Sequence, residues 1–423
     1  MSKVKTLNIG IEKIGKIYHI ADVHIRNLKR HSEYRDVFSQ LYGHILSTMS
    51  ENDIIVVAGD IVHAKTDMSP EVVDLTQEFF TRLSELLPTI VIPGNHDANL
   101  NNPSRMDALQ PIINALKLEN LHYLRNSGIW KISNCSFTHQ SVFDELPGFP
   151  IPTNIEGCDY KIALFHGAVD KIVTEFGFVI ENKKVLVDNF KDYDIVLLGD
   201  IHKPNNGVLG NEWIKYPGSL IMQNHAESVF SEHGILVWDL ENKTNKFVNI
   251  PNPYGYVTVN VEDGKIVSSS PIPQKPRMRI RVKNTKAADL NRIIAELKKG
   301  RQVQELTIQK VITRKDSNEN EKIVLQNVRD VAYQNKLIEE YLSNSEHLTD
   351  NQLSIVKGIN NDINAKLGTQ NIKVNSTWIP KRFEFSNMFS YGPNNIIDFT
   401  NMKGAYGIFA PNASGKSTLW DAL

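Results

Sequence analysis

Residues 90–97, with the sequence IVIPGNHD, decide the fold of this chain. A short apolar run that stops at Pro-Gly predicts a buried strand that ends in a turn. In open α/β sheets, ligands bind at the carboxyl ends of the strands. The turn presents an amide, an imidazole and a carboxylate in succession, and these groups suit a hard divalent metal and a phosphate. The stretch therefore predicts a polar site at the edge of an α/β sheet.

The same arrangement, an apolar strand followed closely by polar side chains, recurs four times along the chain. These polar side chains are Asp22 and His24 after residues 17–20, Asp60 and His63 after 54–58, His166 after 162–165, and Asp200 and His202 after 195–198. Helical patterns over residues 34–49 and 70–86 separate the first strands. Strands that alternate with helices predict a layered α/β domain.

The side chains at these strand ends form a candidate metal site. They are Asp22, His24, Asp60, His63, Asn95, His96, His166, Asp200 and His202. Carboxylate and imidazole suit manganese, iron or zinc, and the absence of thiolate from the set argues against a structural zinc site. Each short motif alone is more often a turn or a helix cap. Five of them, each after an apolar strand, favour a shared metal site over chance.

This motif series resembles that of the calcineurin-like metallophosphoesterases, and its order looks most like that of the SbcD-type DNA-repair nucleases. The resemblance implies a four-layer α/β fold, a β-sandwich flanked by helices, that holds two divalent ions, most often manganese. It implies one ion held by Asp22, His24, Asp60 and His202, and another held by Asp60, Asn95, His166 and Asp200. His96 is expected to stabilise the transition state and donate a proton, and His63 to orient His96. Asp200 departs from the family pattern, which usually has histidine there.

The resemblance further implies a manganese-dependent exonuclease on double-stranded DNA ends, with endonuclease activity on single strands or hairpins. Such an enzyme is expected to work in DNA repair and recombination, as a homodimer with an SbcC-type ATPase. Two alternatives remain open. One is a phosphatase or cyclic-nucleotide phosphodiesterase on the same scaffold, and the other is a DNA-end-binding scaffold whose site is weakened by Asp200.

Changes in composition divide the chain into four predicted parts. Residues 1–250 are the expected nuclease domain, and a segment rich in Pro, Gly and Ser then opens a linker and small α+β cap domain over 251–320. In this cap, residues 277–283 alternate basic and apolar side chains, which predicts a half-buried strand. Its basic face suits either solvent or a nucleic-acid backbone. A helical pair over 321–370 is expected to dock the ATPase partner.

The fourth part, residues 377–423, resembles the beginning of the SbcC-type ATPase, as a partial P-loop lobe. Residues 410–417 read APNASGKS, which fits the Walker A spacing with alanine in place of the first glycine. The candidate ATP- and magnesium-binding residues are Asn412, Gly415, Lys416, Ser417 and Thr418. Because the sequence continues for only a few residues beyond this motif, we expect no ATP hydrolysis by this chain alone.

The bulk composition limits the kinds of partner. The formal net charge of −1 provides no global field that attracts nucleic acid, so contacts with phosphate must be local or carried by metal. Two cysteines make no disulfide framework. We find no signal-peptide pattern and no apolar run near the roughly 20 residues of a membrane helix. A soluble, cytoplasmic protein without a membrane partner is therefore expected.

Overall fold

The computed structural model describes residues 4–144, 149–311 without 151, 153, 175, 230 and 231, and then 331–342, 350–366, 381–388, 391–400, 402 and 419. The chain divides into two compact units, Met1–Thr313 and Arg314–Leu423. The first unit therefore includes the predicted nuclease domain, 1–250, and the predicted cap as far as Thr313. The candidate P-loop residues Asn412, Gly415, Lys416, Ser417 and Thr418 lie outside the described residues.

Strands and helices alternate through much of the first unit. In chain order, its strands are β1 (Lys5–Leu7), β2 (Lys16–Ile20), β3 (Ile54–Ala58), β4 (Thr89–Ile92), β5 (Leu121–Tyr123), β6 (Gly128–Ile132), β7 (Cys135–Gln140), β8 (Tyr160–His166), β9 (Ile195–Gly199), β10 (Asn206–Gly207), β11 (Ile214–Tyr216), β12 (Gly234–Asp239), β13 (Thr244–Asn249), β14 (Tyr254–Glu262), β15 (Lys265–Ser269), β16 (Lys275–Lys283) and β17 (Glu305–Lys310). Its helices are α1 (His31–Thr48), α2 (Pro70–Leu86), α3 (Gln110–Leu116) and α4 (Ala287–Lys298).

Two mixed sheets form the centre of the first unit. One has the strand order β13-β12-β2-β3-β4-β5, in which β2 to β5 are parallel. The other has the order β1-β6-β7-β8-β9-β11-β10, in which β7, β8, β9 and β11 are parallel. Parallel strands buried on both faces read as continuous apolar runs, which explains sequences such as IIVVA in β3.

Apolar side chains fill the space between and outside the sheets, which gives the layered α/β fold that the sequence predicts. Ile54, Val56, Leu164 and Leu197 belong to the core that both sheets share. On the outer side of the first sheet, α1, α2 and α3 pack against a second core. On the outer side of the second sheet, the covering layer in the described residues is a set of irregular segments with a 3-10 turn, Val187–Phe190. Long helices therefore flank one face of the described sandwich.

Helix α2 begins where the sequence predicts. The side chain of Ser69 accepts a hydrogen bond from the backbone N–H of Val72, and Pro70 occupies the first turn. A serine cap satisfies one of the free donors of the first turn, and proline there has no donor to lose. Leu75, Phe79 and Leu83 recur at four-residue spacing and are buried, so one face of α2 covers the sheet.

The carboxyl ends of the parallel strands of both sheets meet at one edge. Nδ1 of His166, at the end of β8, lies 2.7 Å from the carbonyl oxygen of Ala58, at the end of β3. A side chain at Gly59 would place its Cβ 2.4 Å from that Nδ1. Glycine is therefore required for the two sheets to approach so closely. The loops after β2, β3, β4, β8 and β9 share this edge.

The cap is a four-stranded sheet with the order β15-β14-β16-β17, covered by α4. Met278, Ile280 and Val282 of β16 are buried against α4, as the alternating sequence predicts. The opposite, basic face is not uniformly solvated. Arg277 is buried and pairs with Glu33 of α1 at 2.8 Å, so this residue joins the cap to the main sheets instead of facing solvent or DNA.

The second unit contains a helical hairpin and a strand pair among its described residues. Helices α5 (Val331–Leu342) and α6 (Asp350–Lys366) are antiparallel. Two contacts show this: the side-chain amide of Asn364 donates to Gln334, and Lys357 pairs with Glu339. The strands β18 (Arg382–Phe385) and β19 (Asn395–Asp398) pair in antiparallel register. Across the residues that the structure describes, no helix is both long and apolar enough to span a membrane.

Candidate metal centre

The structure brings the nine predicted side chains together at the shared edge of the two sheets. Three close groups account for most of them. Within each group, the candidate ligand atoms lie within 4.8 Å of one another. The groups are Asp22 with His24 and His202, Asp22 with Asp60 and His166, and His24 with His63 and His96. Residues from separate loops, far apart in the sequence, therefore surround one small volume.

Asp60 stands between the histidines of the two sheets. Its Oδ2 lies 3.6 Å from Nε2 of His24, and its Oδ1 lies 3.3 Å from Nε2 of His166. Nε2 of His24 in turn lies 3.0 Å from Nε2 of His202. The two oxygens of one carboxylate thus face two different imidazoles, so Asp60 would offer one oxygen to each of two ions. A side chain at Gly94 would place its Cβ 2.1 Å from Oδ1 of Asp60, so glycine is needed there as well.

Asn95 and Asp200 lie beside the Asp60–His166 pair. The amide nitrogen of Asn95 donates a hydrogen bond to Oδ1 of Asp200 at 3.0 Å, and that oxygen is 3.9 Å from Nε2 of His166. Asp200 belongs to none of the three close groups. Asp200 nevertheless fixes the orientation of the Asn95 amide, because the amide nitrogen faces Asp200 and the amide oxygen points away from it.

Four buried atoms of the nine side chains have no hydrogen-bond partner among the described residues: Nδ1 of His24, Nδ1 of His63, Oδ1 of Asn95 and Nε2 of His166. Nδ1 of His166 donates to the carbonyl of Ala58, which leaves Nε2 facing Oδ1 of Asp60 at 3.3 Å. Buried polar atoms are normally paired, so unpaired ring and amide atoms gathered beside carboxylates fit a site for a ligand. Imidazole, carboxylate and amide oxygen donors fit a divalent cation such as manganese or zinc.

His63 and His96 form a stacked pair next to His24. Their ring centroids are 5.4 Å apart, with 23° between the ring planes. Nδ1 of His96 donates to the carbonyl oxygen of His63 at 2.6 Å, and Arg26 donates to Nε2 of His63 at 3.0 Å. Burial lowers the pKa of His63 to about 4, and the positive charge of Arg26 contributes to the same shift. His63 is therefore neutral, and its backbone fixes the ring of His96.

Charge is concentrated on Asp60 and His166. Burial favours the neutral form of Asp60, but the neighbouring His166 and His24 hold its pKa below the ordinary value. Asp60 in turn outweighs the effect of burial and raises the pKa of His166 well above the ordinary value. Burial also raises the pKa of Asp22 to about 7. The centre of the site thus holds an ionised carboxylate that attracts positive charge.

Three residues outside the nine predicted side chains support the site. The sequence offers the carboxylate of Asp97, at the end of IVIPGNHD, as a group that suits a metal ion or a phosphate. In the structure it is fully buried and accepts hydrogen bonds from the backbone N–H groups of Ile61, Val62 and Gly94, which ties the loop after β3 to the loop after β4. Arg26 and Glu227 follow no motif, and only the structure reveals their contacts with His63 and His202.

Comparisons with known proteins agree with this arrangement. Residues 15–233 match the family model described as calcineurin-like phosphoesterase. A protein of Acanthamoeba polyphaga mimivirus, described as uncharacterised, is 39% identical over 433 aligned positions, which cover 97% of this chain and 32% of the relative. The DNA double-strand break repair protein Mre11 of Haloferax volcanii is 27% identical over 212 positions, 48% of this chain and 45% of that protein. Mre11 of Methanosarcina mazei is 25% identical over 228 positions, 52% of this chain and 36% of that protein. The chain spans about a third to a half of the length of these relatives.

Proposed function

The chain belongs to the calcineurin-like phosphoesterase family, and we propose that it is a two-metal nuclease that cuts DNA at or near strand ends. One observation carries the proposal: the predicted carboxylates and imidazoles converge on Asp60, with the His63–His96 pair beside them. Members of this family use divalent metals. The weak similarity to two archaeal Mre11 proteins supports DNA, rather than a small phosphate ester, as the substrate.

In this proposal, each ion takes four protein ligands, and Asp60 belongs to both sets. One set is Asp22, His24, Asp60 and His202, and the other is Asp60, Asn95, His166 and Asp200. Carboxylate, amide and imidazole donors without thiolate suit manganese. When bound, such ions lower the pKa of a coordinated water and offset the negative charge of the phosphate. Asp200 adds a further carboxylate, which suits a hard ion.

The residues of the chain supply the remaining steps. His96 keeps its Nδ1 hydrogen bond to the carbonyl of His63 in either protonation state, so its ring orientation does not change when it gains or loses a proton. The imidazolium form of His96 offers its Nε2 proton to the oxygen that leaves the phosphate, which is general acid catalysis. His63 packs against that ring and keeps it in place.

The other parts of the chain fit the same proposal of an SbcD-type enzyme in double-strand-break processing and recombination. The cap, 251–320, contacts DNA beside the metal centre. The helical pair, 321–370, docks an SbcC-type ATPase, and the exposed residues Ile355, Ile359 and Ile363 give α6 an apolar stripe at four-residue spacing. Residues 377–423 bind ATP and magnesium through the P-loop, and the enzyme acts as a homodimer.

The test compares manganese-dependent cleavage of a linear DNA duplex with hydrolysis of p-nitrophenyl phosphate. The proposal expects DNA cleavage that is lost in Asp60→Asn and His96→Ser variants. Hydrolysis of the monoester without DNA cleavage would instead support a phosphatase on this scaffold. Binding of DNA with a single manganese site and no cleavage would support an end-binding scaffold.

A further inference from the structure

We propose that Glu227 is a positioning residue for His202, which it holds in the tautomer and orientation needed to bind a metal ion. This inference rests on the proposed role of His202 as a metal ligand. Oε1 of Glu227 lies 3.0 Å from Nδ1 of His202, and the glutamate is fully buried. A carboxylate is an acceptor only, so Nδ1 carries the proton, which leaves Nε2, 3.0 Å from Nε2 of His24, as the nitrogen that would bind a metal ion.

The surroundings of Glu227 require a carboxylate at this position. Besides the imidazole, three donors point at its oxygens. Oε2 accepts from the hydroxyl of Ser219 at 2.8 Å and from the backbone N–H of Gln223 at 2.9 Å. Oε1 accepts from the side-chain amide of Asn224 at 3.0 Å. Four donors and no acceptor surround the group, so a glutamine would turn its own NH₂ against at least one donor.

The loop that carries Glu227 is held by contacts with the His202 loop, with Arg30 and with the cap. Glu227 is therefore held in one position relative to His202. The backbone N–H of Ser219 donates to the carbonyl of His202 at 3.2 Å, so the two loops are joined directly. Arg30 donates to the carbonyl of Met222 at 2.7 Å. From the cap, the ring of Tyr256 contacts the ring of His225, with centroids 4.9 Å apart.

A rigid partner on the second nitrogen of a ligating histidine normally fixes its tautomer and strengthens its binding of metal. Such partners typically contribute about 10- to 100-fold to metal affinity. Glu227 contacts His202, and no hydrogen bond joins it to Asp60, Asn95 or His166 among the described residues. Replacing Glu227 should therefore weaken the binding of one of the two proposed ions and leave the binding of the other unchanged.

The experiment uses the full chain with Glu227→Gln, and Asp53→Asn as the matched control. Asp53 is another buried carboxylate of the same unit, but it accepts hydrogen bonds from the backbone N–H groups of Lys16 and Ser50 rather than from a histidine. ¹⁵N-histidine NMR of the metal-free protein reports the tautomer, with the His202 signals assigned by their loss in His202→Gln. Titration with Mn²⁺, followed by the EPR signal of the free ion, reports the affinity of each site.

We expect the wild-type His202 to carry its proton on Nδ1, and Glu227→Gln to populate both tautomers. We also expect roughly 10- to 100-fold weaker Mn²⁺ binding at one site only. Asp53→Asn should change neither readout. An unchanged tautomer and affinity in Glu227→Gln would overturn the inference, and so would an equal loss of affinity in Asp53→Asn.

These results separate the inference from the proposed function. If the wild-type chain fails to cut DNA but Glu227→Gln shows both the tautomer change and the weaker site, the inference stands and the nuclease proposal falls. If the wild-type chain cuts DNA with Mn²⁺ but Glu227→Gln binds the ion unchanged, the inference falls alone.

Discussion

The cap is joined to the main sheets by a buried ion-pair cluster around Glu33, and replacing Glu33 with glutamine should destabilise the chain strongly. Arg30 donates twice to the Glu33 carboxylate, at 2.8 and 3.0 Å, and Arg277 of the cap lies 2.8 Å from it. These arginine side chains are only 3% and 5% exposed. Removing the one carboxylate leaves two buried cations without their partner, a change that typically costs about 3–5 kcal/mol. We expect the free energy of unfolding to fall by that amount at pH 7.

The effect should depend on pH in a defined direction. Burial opposes ionisation of Glu33, but Arg30, Arg277 and Asn252 outweigh it and hold the pKa below the ordinary value of 4.5. A carboxyl group with a lowered pKa in the folded state stabilises that state fully above its unfolded pKa. The stabilisation is lost as the pH falls through the folded pKa. The difference between wild type and Glu33→Gln should therefore be constant above about pH 5 and shrink below about pH 4.5.

Urea unfolding followed by tryptophan fluorescence, at several pH values, measures this difference. Glu78→Gln is the matched control, because Glu78 pairs with Arg35 at 3.1 Å on the surface, where the two side chains are 42% and 44% exposed. Exposed pairs contribute about 0–1 kcal/mol. If Glu33→Gln costs no more than Glu78→Gln at pH 7, the cluster does not hold the cap as argued.

Three further predictions concern the metal centre and the core. Asp60→Asn should weaken Mn²⁺ binding at both sites, as counted by EPR titration, and should slow DNA cleavage by at least roughly 100-fold, because bound metal supplies several kcal/mol to the transition state. Arg26→Ala should lower kcat on DNA by roughly 10- to 100-fold through misplacement of His63 while leaving Mn²⁺ affinity unchanged; a loss of affinity would contradict this. His19 is fully buried with its pKa lowered to about 3. Below about pH 6.5 the unfolded chain therefore gains a proton that the folded chain does not, and wild type should lose up to about 1.4 kcal/mol of stability per pH unit relative to His19→Phe in urea unfolding. Equal pH slopes would refute the role of His19.

The sequence predicted which side chains gather at the edge of the sheets where a side chain directly follows a strand. Asn95 and His166 lie at or just after the carboxyl end of a parallel strand. The point where the apolar run stops in the sequence marks that end. Glu227 could not be found in this way. It lies 25 positions after His202 in a 3-10 turn, and its contact depends on how two loops fold together. No local pattern encodes such a contact.

Arg277 shows the same limit in the cap. Alternation correctly predicts that residues 277–283 form a strand with Met278 on its buried face. It also assigns Arg277 to a polar face, which is correct for the sheet taken alone. The face at this point meets Glu33 of α1, so Arg277 is buried by another layer of the fold. Periodicity describes one element, and burial is decided by the element that packs against it.

The backbone of the metal centre explains why local preferences alone would not produce it. Asp22, His24, Asp60 and Asp200 have φ values of 52°, 50°, 54° and 99°, in a region that costs residues other than glycine about 1–3 kcal/mol each. Tertiary hydrogen bonds hold these conformations. The N–H of Asp22 bonds to the carbonyl of Gly59, that of His24 to the carbonyl of Asp60, and that of Asp200 to the carboxylate of Asp22. Each of these three strained residues is therefore fixed by a neighbouring loop of the same site. Such mutual support between loops offsets the conformational cost of gathering these donors at one edge of the sheets.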